Sequence, residues 1–65
     1  MPSSVVRNMS YDARDHRLRI VYVSGNVYDY FDVPAKAYEA MKAATSKGEF
    51  LNREIKGHYS FQRVK

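Results

Sequence analysis

The side chains with the clearest binding chemistry are aromatic or basic, and they fall in two parts of the chain. Tyr28-Asp29-Tyr30 puts two tyrosines in one short segment, and residues 46–65 interleave cations with aromatic rings. Cations attract phosphates and rings stack on bases, a combination typical of binding to single-stranded nucleic acid. The residues assigned to an RNA-binding surface on this basis are Lys47, Arg53, Lys56, Arg63, Lys65, Tyr28, Tyr30 and Tyr59.

The positive charge of the chain is unevenly distributed. The formal net charge is +4, and residues 46–65 hold five basic and two acidic residues, against six and five in residues 1–45. Charge of this sign suits an anionic partner, but it also keeps small proteins in solution. The alternative interpretation is that Lys47, Arg53 and Lys56 form the solvated back of an amphipathic helix, while the core includes Phe50, Tyr59 and Phe61.

Catalysis and cofactor binding have little support in the sequence. The two histidines, His16 and His58, are far apart and match no triad or HExxH pattern, and the absence of cysteine excludes a thiol nucleophile and disulfides. Gly25, Gly48 and Gly57 are isolated, so no phosphate-cradling loop is predicted. We therefore expect a non-enzymatic domain without metal, cofactor or small-molecule substrate.

The length and hydropathy of the chain indicate one small domain away from membranes. No apolar run approaches the roughly 20 residues that cross a bilayer, and residues 1–4 lack the pattern of a secretory signal. We expect a cytoplasmic location and no membrane partner. A 65-residue domain has a small core and gains stability from association. A homodimer or another protein partner is therefore the rival hypothesis to RNA, supported by edge strands that can pair between chains.

The tyrosine pair lies within a predicted antiparallel meander. Residues 5–11, 17–23 and 27–33 are rich in β-branched and aromatic residues, which is typical of strands. Ser24-Gly25-Asn26 is a turn signal, so the second and third strands should form a hairpin.

Two helices should follow the meander. Pro34 can begin a helix that runs to about Ala44, and Thr45 or Ser46 can cap a second helix over roughly residues 47–55, which Gly57 ends. The tail, residues 58–65, is either a short edge strand or an extended segment. The predicted fold class is α+β: a three-stranded antiparallel meander, then two short helices packed on one of its faces, in a single domain.

The hairpin register decides which way Tyr28 and Tyr30 point. A two-residue loop, Gly25-Asn26, places both tyrosines on the outer face of the sheet, as an exposed aromatic platform. A three-residue loop, Ser24-Gly25-Asn26, exchanges the faces and puts them with Ile20 in the core, since a change of one residue turns every side chain over. Composition leaves both registers open.

The ordered motifs of the chain resemble the KTSC domain, a short bacterial domain with a central Tyr-x-Tyr. This domain occurs at the C-terminus of some lysyl-tRNA synthetases and as a small stand-alone protein. The resemblance rests on Leu18-x-Ile20-x-Tyr22-x-x-Gly25, Tyr28-Asp29-Tyr30, Val33-Pro34 and Ser46-Lys47-Gly48-x-Phe50-x-Asn52-x-x-Ile55-x-Gly57-x-Tyr59. It runs from about Ser3 to Arg63.

This resemblance implies little about chemistry, although the synthetase association suggests RNA as a partner. It supplies no catalytic or ligand-binding residues. The residues that carry over as motif positions only are Tyr28, Tyr30, Lys47, Gly48, Asn52 and Tyr59.

Overall fold

The structure is a computed structural model that describes residues 5–65, so the expectation about residues 1–4 lies outside the described part. Its strands form one antiparallel sheet in the order β1-β2-β3-β4, and the helices lie between β3 and β4 in the chain. The strands are β1 (Val6–Asp12), β2 (Arg17–Tyr22), β3 (Val27–Tyr30) and β4 (Phe61–Arg63). The helices are α1 (Ala35–Ala43) and α2 (Lys47–Phe50), which continues into a π-helical segment (Leu51–Ile55). The predicted α+β fold is confirmed, and the tail does form a short fourth strand.

The pairing of β2 with β3 places the tyrosine pair on the core face of the sheet. Leu18 lies opposite Tyr30, and Ile20 lies opposite Tyr28. Residues that face each other across an antiparallel pair share a side of the sheet. The two-residue-loop alternative, with both tyrosines outward, is therefore wrong. The three-residue alternative has the correct faces, although the observed pairing is displaced from it by two residues.

The displacement arises because the turn between β2 and β3 is longer than either alternative. The last paired residues are Val21 and Val27. Between them, the Tyr22 N–H donates to the Asn26 carbonyl and the Gly25 N–H donates to the Tyr22 carbonyl, both at 2.9 Å. Gly25 has a φ of +99°, a left-handed conformation that glycine adopts without a steric penalty.

The helices begin where the sequence predicts. Pro34 is extended and immediately precedes α1. Of the two candidate caps for α2, Ser46 is the one used, because its Oγ accepts a hydrogen bond from the Glu49 N–H at 3.3 Å. No helix within residues 5–65 is long and apolar enough to span a lipid bilayer.

The second predicted helix, residues 47–55, changes character half-way. Its last five residues are π-helical, and the Lys56 N–H donates to the Leu51 carbonyl at 2.8 Å, five residues earlier. Gly57 follows with a φ of +80° and ends the helix, as predicted. This wider turn places Lys56 and Gly57 where the chain returns to the sheet.

The core lies between one face of the sheet and the helical segments. At one end, the Tyr11 hydroxyl donates to the Val33 carbonyl at 2.6 Å, and the Tyr11 ring stacks on Tyr38 of α1 at a centroid distance of 5.1 Å. The buried apolar side chains are Val6, Leu18, Ile20, Tyr30, Val33, Met41, Leu51 and Ile55.

The opposite face of the sheet carries an ion pair between a buried carboxylate and an exposed arginine. Asp29 is only 5% exposed, and Arg19 lies directly opposite it. The Arg19 Nε and Nη2 atoms donate to the two carboxylate oxygens at 2.7 and 3.0 Å. These hydrogen bonds lower the pKa of Asp29, although burial acts in the other direction. Asp29, the middle residue of Tyr28-Asp29-Tyr30, therefore forms its ion pair on the face of the sheet opposite the two tyrosines.

Candidate functional site

A concave site of about 450 Å³ lies between the β2–β3–β4 end of the sheet and the chain that leaves the π-helical segment. We call it the aromatic pocket. It is bounded by the β2–β3 turn on one side and by β4 on another. Its lining residues are Tyr22, Ser24, Asn26, Tyr28, Tyr30, Lys56, Gly57 and Phe61.

Four rings form the apolar part of the aromatic pocket. Strand alternation directs Tyr28 and Tyr30 to the same face, and the pairing of β3 with β4 sets Phe61 opposite Tyr30. Tyr22 meets Tyr28 edge to face, with ring centroids 5.4 Å apart. Phe61 lies 5.6 Å from Tyr28 and 5.8 Å from Tyr30, centroid to centroid. These separations are those of favourable aromatic pairs, so the rings hold one another in place.

The rings differ in exposure, which separates a structural role from a binding role. Tyr30 is 2% exposed and belongs to the core. Tyr28 is half-buried, and Phe61 at the rim is 58% exposed. Tyr28 and Phe61 are therefore the rings that solvent reaches, while Tyr30 forms the buried floor of the pocket.

Two hydroxyls are paired beside the floor. The Tyr22 and Tyr30 hydroxyl oxygens lie 2.9 Å apart, so one donates to the other. Burial raises the pKa of both phenols above the ordinary value, and for Tyr22 the hydrogen bond acts in the same direction. Both hydroxyls therefore stay protonated at neutral pH, and the floor carries no charge.

Cations surround the opening of the aromatic pocket. The Lys56 Nζ atom lies 5.7 Å from the centroid of the Tyr22 ring, within the range of a cation–π contact. Arg63 lies opposite Tyr28 across the β3–β4 pair, and its Nη2 donates to the Asn26 Oδ1 at 3.0 Å. Among residues 5–65, none of those that line the pocket is acidic. The pocket thus combines ring faces with positive charge.

Comparison with known proteins places this chain in a family. The sequence matches the family model of the KTSC domain over residues 2–59. The chain belongs to the KTSC domain family. It is 39% identical to a lysine–tRNA ligase of Nostoc punctiforme over 61 residues, which cover 94% of this chain and 11% of the ligase. It therefore spans about a tenth of the length of that relative.

Two shorter proteins are similar along nearly their whole length. An uncharacterized protein of Stutzerimonas stutzeri is 32% identical over 65 residues, covering 98% of this chain and 92% of the relative. The crystal structure of a KTSC domain protein from Yersinia pestis superposes with a TM-score of 0.90 at 28% identity, covering 100% of this chain and 94% of that one. The resemblance drawn from the motifs is confirmed.

Five of the eight RNA-binding residues predicted from the sequence lie at this end of the KTSC domain. Tyr28, Tyr30 and Lys56 line the aromatic pocket, and Arg63 adjoins it through Asn26. Lys65 lies at the same end of the sheet, where its backbone carbonyl accepts from the Val27 N–H at 2.8 Å.

The other predicted residues lie elsewhere on the surface. Arg53 pairs with Glu54 at 3.1 Å and borders a different depression, beside α1. Tyr59 is partly buried against the core, as the alternative interpretation expects. The same interpretation is wrong for Phe61, which is 58% exposed. Lys47, in the first turn of α2, does not line the aromatic pocket. The charge excess of residues 46–65 is thus divided between two regions.

Sequence reasoning did not assign Tyr22, Asn26 and Phe61 to the site. Tyr22 had a detectable signal, because the three-residue-loop alternative puts it on the same face as the tyrosine pair. Phe61 alternates with Arg63 along the tail, which also hints at a shared face. Nothing in the sequence distinguishes the side chain of Asn26 from that of an ordinary turn residue.

Proposed function

We propose that this KTSC domain binds single-stranded RNA by stacking an unpaired base in the aromatic pocket. Lys56, Arg63 and Lys65 then bind the phosphates on either side of that base. The observation that carries the proposal is the convergence of accessible rings and cations, with the Lys56 Nζ 5.7 Å from the Tyr22 ring centroid at the opening.

The chemistry of the lining supports an anionic, planar ligand. Every base presents a π-face, and stacking on one aromatic side chain contributes about 1–3 kcal/mol. The half-buried Tyr28 and the exposed Phe61 offer such faces, and the lining holds no carboxylate to repel a phosphate. Lys56 supplies charge next to the rings, which is the arrangement that sequence-tolerant binding to single strands uses.

The relatives lend the proposal independent support. A segment similar to this chain forms about a tenth of a lysine–tRNA ligase of Nostoc punctiforme, an enzyme whose name gives tRNA as a substrate. An RNA-binding module is a reasonable addition to an enzyme that must hold tRNA. Ligase activity itself is not proposed for this chain, which spans only 11% of that relative.

A fluorescence anisotropy titration with labelled single-stranded RNA and with tRNA tests the proposal. We expect micromolar to sub-millimolar binding at about 50 mM salt that weakens clearly at about 200 mM, because phosphate contacts release counterions. A dissociation constant above about 1 mM at low salt, or an affinity that does not change with salt concentration, contradicts the proposal.

Self-association is a second candidate, favoured by the exposed edge of the sheet. β4 is an edge strand of the sheet, and the apolar side chains of Phe61 within it and Val64 just after it are 58% and 48% exposed. However, β4 has three residues and carries Arg63, and short charged edges oppose strand pairing between chains. Light scattering over a range of concentrations distinguishes the two candidates. A dimer that forms without RNA and masks Phe61 favours self-association.

A further inference from the structure

The side-chain amide of Asn26 is oriented by its neighbour across the sheet end. The Arg63 guanidinium can only donate hydrogen bonds, so the Asn26 atom that it contacts at 3.0 Å is the Oδ1 acceptor. The amide nitrogen, Nδ2, then points away from Arg63. Within residues 5–65 the Nδ2 atom has no hydrogen-bond partner, and Asn26 lines the aromatic pocket.

The side chains of Asn26 and Lys56 therefore offer a ligand hydrogen-bond donors but no acceptors. The Asn26 side-chain oxygen is already occupied by Arg63, so the group that this side chain can still offer to a ligand is its pair of Nδ2 protons. Lys56 adds an ammonium group, which has no acceptor capacity. The remaining polar side chains are hydroxyls, which can donate or accept and so give no bias, and the lining has no carboxylate.

Nucleobases divide into two classes at the group that such donors would meet. Uracil and guanine carry a carbonyl oxygen, O4 or O6, where cytosine and adenine carry an amino group. A carbonyl accepts from the Asn26 Nδ2, whereas an amino group placed there leaves two donors facing each other without an acceptor. Leaving two donors face to face without an acceptor costs more binding free energy than one matched hydrogen bond contributes.

We infer that the aromatic pocket selects bases with a carbonyl edge, and that Asn26 is the residue that determines this selectivity. This inference rests on the proposed function, since it names the class of base that the same pocket takes. Uracil and cytosine give the cleanest comparison, because they have the same ring size and differ at the group that Asn26 would contact.

The test measures the affinities of the full chain for oligouridylate and oligocytidylate of equal length in one buffer. We expect the uridylate to bind roughly three- to tenfold more tightly, the effect of one hydrogen bond gained or lost. Asn26→Asp keeps an acceptor for Arg63 but replaces the donor with a second acceptor. In this variant the ratio should invert in favour of cytidylate, even though both affinities fall.

The ratio of the two affinities, rather than either value, is the readout, so a general loss of charge or stability does not imitate the effect. Asn26→Ala is the second variant, and it should abolish the preference while retaining salt-dependent binding. Equal affinities in the unsubstituted protein, or a preference that Asn26→Asp leaves unchanged, overturn the inference and leave the proposed function standing. Failure to bind any oligonucleotide overturns the proposed function and the inference with it.

Discussion

Lys56 and Tyr22 join the end of the helical layer to the sheet: the lysine Nζ lies 5.7 Å from the centroid of the tyrosine ring. The π-helical segment makes this possible, because its last hydrogen bond runs from the Lys56 N–H to the Leu51 carbonyl. The contact holds a cation at the opening of the aromatic pocket without an acidic partner. Charge held in this way remains available to a phosphate.

Removing the Lys56 charge should weaken RNA binding more than removing another lysine charge nearby. We expect Lys56→Gln to lower affinity severalfold and to reduce the slope of log affinity against log salt by about 1, the value for one lost phosphate contact. Anisotropy titrations at several salt concentrations measure both quantities.

Lys47→Gln is the matched control for Lys56→Gln. It removes the same charge from the same helical stretch, but Lys47 does not line the aromatic pocket. For this variant, the slope of log affinity against log salt should stay close to that of the unsubstituted protein. Equal losses for the two variants would mean that binding follows net charge rather than the pocket.

The two tyrosines of Tyr28-Asp29-Tyr30 should behave differently when truncated. Tyr28→Ala removes a half-buried stacking face, so we expect a folded protein whose RNA affinity falls about 5- to 100-fold. The chain has no tryptophan, so the tyrosine fluorescence of the unsubstituted protein reports binding directly as quenching. Tyr28→Phe keeps the ring and should keep most of the affinity. A Tyr28→Ala variant that binds normally would exclude the pocket as the stacking site.

Tyr30→Ala, in contrast, should lose its fold. Tyr30 is 2% exposed, and truncation of a buried aromatic residue costs about 3–5 kcal/mol. Small domains have little more than about 5 kcal/mol of stability, so most of the cooperative transition should disappear. Circular dichroism during heating measures this. A sharp transition close to that of the unsubstituted protein would contradict the assignment of Tyr30 to the core.

The Tyr-x-Tyr motif illustrates what the sequence can and cannot establish. Strand composition and the turn signal predict the hairpin correctly, because both are local properties. The direction of Tyr28 and Tyr30 depends on the length of the turn, and the five-residue separation of Val21 from Val27 is set by backbone hydrogen bonds that composition does not specify. The split between a buried Tyr30 and an accessible Tyr28 then depends on what covers each ring.

The positions of the basic residues, like the direction of the tyrosines, could be predicted from the sequence only in part. Charge counting identifies residues 46–65 as basic, but it assigns Arg53 and Lys56 to one surface. The structure separates them, because the helix turns π-helical after Phe50 and the chain leaves it at Lys56 towards the sheet. The Arg63–Asn26 contact joins residues 37 positions apart, a distance at which sequence patterns give no information about pairing.

Asp29 should make the protein acid-sensitive. Its hydrogen bonds with Arg19 lower its pKa in the folded state, whereas the unfolded chain has the ordinary value of about 3.9. This contribution is therefore fully present above about pH 4 and is lost as the pH falls through the lower, folded pKa. Urea unfolding near neutral pH and at about pH 3 measures the loss.

Asp29→Asn should cost roughly 1–2 kcal/mol of unfolding free energy near neutral pH and flatten the acid dependence. Asp32→Asn is the control, since Asp32 is exposed and its φ of 58° is a conformation that asparagine also tolerates. Parallel acid curves for the unsubstituted protein and Asp29→Asn would show that the Arg19 pair does not stabilise the fold.

Asp29 should make the protein lose stability at low pH, whereas the tyrosine hydroxyls should make it lose stability at high pH. Burial raises the pKa of Tyr22 and Tyr30, so their contribution to stability is complete below the unfolded value of about 10 and is lost as the pH rises above it. Tyrosinate absorbance should therefore rise later in the folded protein than in urea. Tyr22→Phe removes one of the two phenols that titrate late and should therefore reduce this lag. Identical titrations in the folded and unfolded states would contradict the burial of this pair.

The most direct test of the central claim is a titration of isotope-labelled protein with oligouridylate, followed by the backbone amide signals in two-dimensional NMR. Binding in the aromatic pocket predicts that the largest shifts occur in two separate stretches that meet there. These are residues 22–30, from β2 through β3, and residues 56–63, from Lys56 through β4. Shifts confined to α1 and the Arg53 side of α2, or no shifts at saturating RNA, would contradict it.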